Sequence, residues 1–95
     1  MSRIVWAPQA LEDVQAIRDY LSRSSIDYAN LIVELIVTAV GRLERHPRSG
    51  RIVPEVGLPS LREVIVRDYR IVYQLRRNVV EILTVFHGAR AFPRR

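Results

Sequence analysis

Ala10, Val14, Ile17 and Leu21 recur at intervals of four, three and four residues, which lays a single apolar stripe along one helix. Ala7-Pro8 opens that helix, because proline in the first turn lacks only an N–H that would have no helical partner anyway. Glu12 and Asp13 are expected near its positive end. Ser24 and Ser25 interrupt the pattern, and either can cap a second helix whose first turn carries Asp27. The second helix is expected from Ile26 to Arg45, stopped by Pro47. Of the ten residues Leu31 to Val40, only Glu34 and Thr38 are polar. A surface helix needs about one apolar stripe. This one is apolar on more than one face. It is therefore sandwiched between a sheet and the first helix, or it offers apolar surface to another chain, and the two are compatible.

The rest of the chain reads as strand and loop. Arg3 to Trp6 is a short N-terminal strand, with Trp6 as a core anchor where strand meets helix. Three prolines and two glycines between positions 47 and 59 deny regular structure there. Leu61 to Val66 and Arg70 to Leu75 follow as strands, with Asp68-Tyr69 at the turn between them. Arg76-Arg77-Asn78 forms a tight hairpin, asparagine tolerating the positive φ that it needs, and Val79 to Phe86 is the last strand. The order β-α-α-β-β-β predicts an α+β domain spanning 1–95, an antiparallel meander packed on a helical hairpin.

Composition narrows the class. With 48% hydrophobic and 26% charged residues in a chain of 95, the expectation is one globular domain. The absence of cysteine excludes a disulfide framework and thiolate metal sites, which fits a reducing, cytoplasmic setting. No apolar run reaches the roughly 18 residues of a membrane span, and no signal-peptide core precedes the first strand. His46 and His87 lie far apart in sequence, so a metal site is not expected, and no phosphate-binding glycine loop or zinc motif implies a cofactor. All 15 basic residues are arginine, against 10 acids. Residues 1–47 hold five Arg and six acids (5 − 6 = −1), whereas residues 48–95 hold ten Arg and four acids (10 − 4 = +6). The second half is thus where an anionic partner would be met, and arginine suits planar, bidentate contact with carboxylate or phosphate.

Alternation in Arg70-Ile71-Val72-Tyr73-Gln74-Leu75 puts Ile71, Tyr73 and Leu75 on the core face and Arg70 on the other. Pairing of the last two strands sets Arg70 across from the 84–86 region. Gly88 lets the chain leave the sheet, so His87 and Arg90 emerge near the same edge. Two guanidiniums and an imidazole gathered there would suit a phosphate or a phosphoryl-transfer transition state. Arg62, Arg67, Arg76 and Arg77 read as solvated sheet-edge charges, and Arg94 and Arg95 as a frayed terminus.

Trp6, the Asp13-to-Tyr20 spacing, Leu43-Glu44-Arg45-His46-Pro47 with Gly50-Arg51, Leu61-Arg62-Glu63-Val64, Tyr69-Arg70-Ile71-Val72-Tyr73 and His87-Gly88-Ala89-Arg90 together resemble the RelE/ParE superfamily of type II toxins. The resemblance covers nearly the whole chain and implies a sheet against an N-terminal helical hairpin. It also implies a cognate antitoxin that wraps and silences the toxin in a hetero-oligomer. Two activities divide the superfamily. The RelE branch cuts messenger RNA in the ribosome, and under that reading the resemblance makes Arg70, His87 and Arg90 catalytic. Positions near Leu61 and Glu63 that carry lysine in that branch are apolar and acidic here, and Ala91-Phe92-Pro93 supplies no hydroxyl. The ParE branch inhibits DNA gyrase by binding it, a task without chemistry. The helical hairpin, the His-Pro-x-x-Gly-Arg loop and the His-Gly-x-Arg ending resemble that branch more closely. Under it, Arg62, Arg67, Arg70 and Arg90 are candidates for antitoxin or target contact.

Overall fold

A computed structural model describes residues 1–93. Its elements are β1 (Arg3–Trp6), α1 (Pro8–Ser22), α2 (Ile26–Arg42), β2 (Arg51–Ile52), β3 (Leu61–Val66), β4 (Tyr69–Arg76) and β5 (Val79–His87). They form a five-stranded sheet in the order β1-β5-β4-β3-β2, with both helices packed on one face. The α+β class and the helical hairpin are as the sequence predicts. The sheet has one strand more than expected and is mixed, because β1 lies parallel to β5 while the other neighbours are antiparallel.

The apolar periodicities become the core. Ala10 of α1 and Ile32, Ile36 and Val40 of α2 are buried against Ile71, Tyr73, Val80, Ile82 and Val85, with Trp6, Val14, Ile17 and Leu21 packed around them. The doubled apolar character of α2 is resolved in both senses, since Ile26, Tyr28, Leu31 and Val37 of the same helix remain exposed. Ser25 caps α2 by accepting a hydrogen bond from the Tyr28 N–H at 3.1 Å. The helix ends a turn earlier than expected. Leu43 must be buried, and the chain tightens there into short turns in which the Glu44 and Arg45 N–H groups donate to the Gly41 and Arg42 carbonyls.

The β3–β4 turn is centred on Arg67-Asp68, not Asp68-Tyr69, with Arg67 at φ 53°. Asn78 adopts the positive φ (59°) expected of it at the β4–β5 hairpin. Within β5, Val72 pairs with Thr84 and Tyr73 with Ile82, so Leu83 is the extra residue of a bulge. β1 stops opposite Ile82, which leaves the edge of β5 beyond the bulge unpaired by strand. Asp13 of α1 fills that gap.

Candidate functional site

The sheet face turned away from the helices carries the polar machinery. Arg70, held rigidly on β4 opposite Phe86, lies on this face with Glu63 of β3, as alternation requires. Its Nε donates to Glu63 Oε1 at 2.7 Å, and its two terminal nitrogens form a fork onto Glu55 at 2.8 and 2.7 Å. Glu55 is placed over Arg70 by a turn in which the Val56 and Gly57 N–H groups both donate to the Val53 carbonyl. Arg51 completes the chain of charges, donating to Glu63 Oε2 at 2.6 Å. The guanidinium of Arg70 also sits over the rings of Phe86 (5.2 Å) and Phe92 (5.5 Å). Every nitrogen of this side chain is engaged, and only 11% of it is exposed.

Electrostatics follow from that geometry. The Glu63 side chain is fully buried, yet each oxygen accepts from a different arginine, which satisfies a charge that would be costly alone. The Arg70 fork holds the Glu55 carboxyl down to about 2, and the two carboxylates push Arg70 further up. Burial raises the hydroxyls of Tyr69 and Tyr73. A depressed carboxylate stabilises the fold fully above its ordinary value of 4.5, and that contribution is lost as pH falls toward about 2. The thermal midpoint is therefore expected to drop between pH 4.5 and 2, and Glu55→Gln should show a shallower drop in the same window. Identical profiles for the two proteins would refute the assignment.

The other sequence candidates are distributed around this network and do not converge as free cations. Arg62 is not a solvated edge charge. Its guanidinium donates to the carbonyls of Pro59, Arg48 and Gly50 at 2.9, 3.3 and 3.1 Å and ties down the loop before β3. Arg76 pairs with Glu81 at 2.8 Å, whereas Arg67 and Arg77 are exposed in turns. His87 is exposed, lies edge-on to Tyr69 with centroids 5.5 Å apart, and accepts a hydrogen bond from the Ala89 N–H at Nδ1. It lines one cleft with Arg67 and Arg70 and another with Tyr20, Tyr69 and Arg90. Arg90 is exposed, and its side chain has no hydrogen-bond or ion-pair partner among the described residues. Arg94 and Arg95 lie outside the described residues. No group of three or more potential metal ligands occurs among the described residues, and no helix is long and apolar enough to cross a membrane.

Asp13 is a polar clasp that sequence reasoning placed near the helix dipole instead. Its Oδ2 accepts from the Thr84 hydroxyl at 2.5 Å and from the Val85 N–H at 2.9 Å, while Oδ1 accepts from Gln9 at 2.8 Å. It joins α1 to the free edge of β5 just past the bulge. Asp13→Ala is expected to destabilise the protein by about 1–3 kcal/mol, since it strands a backbone donor at a half-buried position. An unchanged denaturation midpoint would count against that role.

Two helices packed on a five-stranded mixed sheet are a fold that solved structures share. The model of the ParE toxin of type II toxin–antitoxin systems, parDE, matches residues 4–92. The chain belongs to that family. It is 35% identical over 91 residues to Toxin RelE2 of Caulobacter vibrioides, covering 95% of this chain and 99% of that one. It is 38% identical over 93 residues to Y4kP of Sinorhizobium fredii, covering 96% and 93%. Among solved structures, the chromosomal ParDE system of P. aeruginosa shares the fold with a TM-score of 0.76 at 22% identity, over 92% of this chain and 96% of that one. The YoeB-YefM complex of Staphylococcus aureus shares it more distantly, at TM-score 0.59 and 20% identity over 92% and 98%. This ParE-family protein is a type II toxin of the RelE/ParE superfamily.

Proposed function

We propose that this toxin acts in the manner of the ParE branch, arresting DNA gyrase by binding it, and that a cognate antitoxin keeps it silent. The engagement of Arg70 supports this reading. A phosphoryl-transfer site needs cations free to meet phosphate charge as it develops, whereas this guanidinium is closed by Glu55 and Glu63 between two phenylalanine rings. Protein binding makes no such demand, and the exposed apolar residues of α2 and the basic second half of the chain suit it. The partner proposal draws on structural neighbours that are toxin–antitoxin complexes. Purified toxin in stoichiometric excess is expected to inhibit supercoiling by gyrase. Full supercoiling at large excess would sink the proposal.

One arrangement favours a second reading, a ribosome-dependent ribonuclease. His87, Arg90, Tyr20 and Tyr69 line a common cleft, so an acid or base and a free cation do lie together there. That reading requires cleaved transcripts in arrested cells and loss of cleavage on Arg90→Ala. Intact messenger RNA in such cells excludes it.

A further inference from the structure

β4 runs from the end of the sheet that holds Arg70 and His87 to an opposite end at Arg76 and Val79, where three segments distant in sequence meet. The Ser2 N–H donates to the Glu44 carbonyl and the Arg3 N–H to the Asn78 carbonyl, both at 2.9 Å. The start of β1 thus joins the loop after α2 to the β4–β5 hairpin. Arg42, the last residue of α2, belongs to that loop, its carbonyl accepting from the Arg45 and His46 N–H groups. The loop is held from the sheet, because the Tyr73 hydroxyl donates to the Pro47 carbonyl and Arg62 to the Arg48 carbonyl. Arg3, Arg42, Arg45, Arg48 and Arg77 therefore share one end of the molecule on a fixed base. All five are exposed, and none has a side-chain hydrogen bond or ion pair among the described residues. Glu81, the acid nearest the hairpin, is held by Arg76 at 2.8 Å, which leaves Glu44 as the exposed acid of these segments.

We infer that this end of the toxin docks on the phosphate backbone of duplex DNA, the segment held by gyrase, so that target and DNA are gripped together. Charge decides the sign of the occupant, since five free guanidiniums face a single free carboxylate. What surrounds them decides its class. A protein partner is held by an apolar centre within a polar rim, but Met1 is the only exposed large apolar residue of the three segments. Single-stranded bases stack on aromatic faces, and none of the segments carries Phe, Tyr or Trp. Arginines spread over a fixed end with nothing to read a base suit the backbone of a duplex, which they meet by bidentate contact with phosphate oxygens. The inference rests on the gyrase reading above, which supplies the source of the duplex.

The test is binding of the full-length toxin to a short labelled duplex of mixed sequence across a salt series, paired with a gyrase supercoiling assay. Each neutralised phosphate contributes about 0.9 to the slope of log affinity against log salt, so the wild-type slope is expected near about −4. The triple variant Arg3→Gln/Arg45→Gln/Arg77→Gln should lose about 3 of that slope. Arg23→Gln should keep it. Arg23 lies over the Tyr20 ring, and Tyr20 lines a cleft with Tyr69 and His87 at the other end of the sheet. In the supercoiling assay the triple variant should need roughly tenfold more toxin than wild type, and Arg23→Gln no more. Equal slopes for wild type and the triple variant would overturn the assignment, as would tighter binding of an oligo-dT single strand than of the duplex. A triple variant as potent on gyrase as wild type would overturn the joint grip while leaving the gyrase reading intact. Wild-type toxin that binds the duplex yet leaves supercoiling untouched would overturn the gyrase reading and the source of the duplex, while the slopes would still uphold the surface.

Discussion

Arg70→Ala is expected to destabilise the toxin by about 3 kcal/mol, so that any loss of toxicity it causes reflects the fold before it reflects a missing catalytic group. Removing one partner of a buried ion pair costs about 3–5 kcal/mol, because the remaining charge stays desolvated and uncompensated. Glu63, fully buried, is that remaining charge here. The lower end applies because Arg51 still holds its second oxygen. Two ring contacts, with Phe86 and Phe92, are lost as well, and with them part of what keeps the segment after β5 against the sheet. Removing Glu63 together with Arg70, as in Glu63→Leu/Arg70→Met, should cost less than Arg70→Ala alone, since no buried charge is then left over. Arg70→Lys should fall between wild type and alanine, because an ammonium cannot reproduce the fork onto Glu55. Denaturant titration of the four proteins checks the order. An Arg70→Ala protein with wild-type stability would refute a structural role and return Arg70 to the list of functional cations.

That outcome bears on how far the site was legible in the sequence. The stripe from Ala10 to Leu21 and the alternation from Arg70 to Leu75 encode burial directly, and both reappear in the core. The tight hairpin alone would set Arg70 opposite Val85, within the expected 84–86 region, and the bulge at Leu83, which leaves no trace in the pattern, moves it to Phe86. The free cationic cluster did not follow, because counting charges by segment ignores which acids alternation puts on the same face. Leu61, Glu63 and Ile65 share a face with Arg70 once the β3–β4 turn is fixed, so an acid between two apolar residues on that face of the strand was a readable signal for a buried partner. Glu55 had no comparable signal, since its position depends on a loop closed by hydrogen bonds to Val53. Neither the parallel docking of β1 nor the two-residue β2 leaves a periodic trace, because pairing across long separations is set by what the rest of the sheet leaves open.

Gly50→Ala is expected to be the second severe substitution, costing about 3 kcal/mol, the upper end for forcing atoms into a packed interior. Gly50 is buried where the loop after α2 turns into β2, and its N–H donates to the Tyr73 hydroxyl at 3.0 Å. That hydroxyl in turn donates to the Pro47 carbonyl at 2.7 Å, so Tyr73 clasps the loop from inside the core. A Cβ on residue 50 would lie 2.6 Å from both the Glu63 carbonyl and the Tyr73 hydroxyl, and 2.9 Å from the Tyr73 ring. The ring cannot swing aside, because Tyr73 is fully buried, and the carbonyl belongs to a strand paired on both sides. Tyr73→Phe separates the two parts of this clasp. Alone it should cost about 1–3 kcal/mol by leaving the Gly50 N–H without its acceptor. In the Gly50→Ala background it should restore little, since the contact with the Glu63 backbone persists. Denaturation midpoints of the two single variants and the double variant decide the matter. Recovery of most of the loss in the double variant would mean that the hydroxyl, and not the close approach of two backbones, is what requires glycine at position 50.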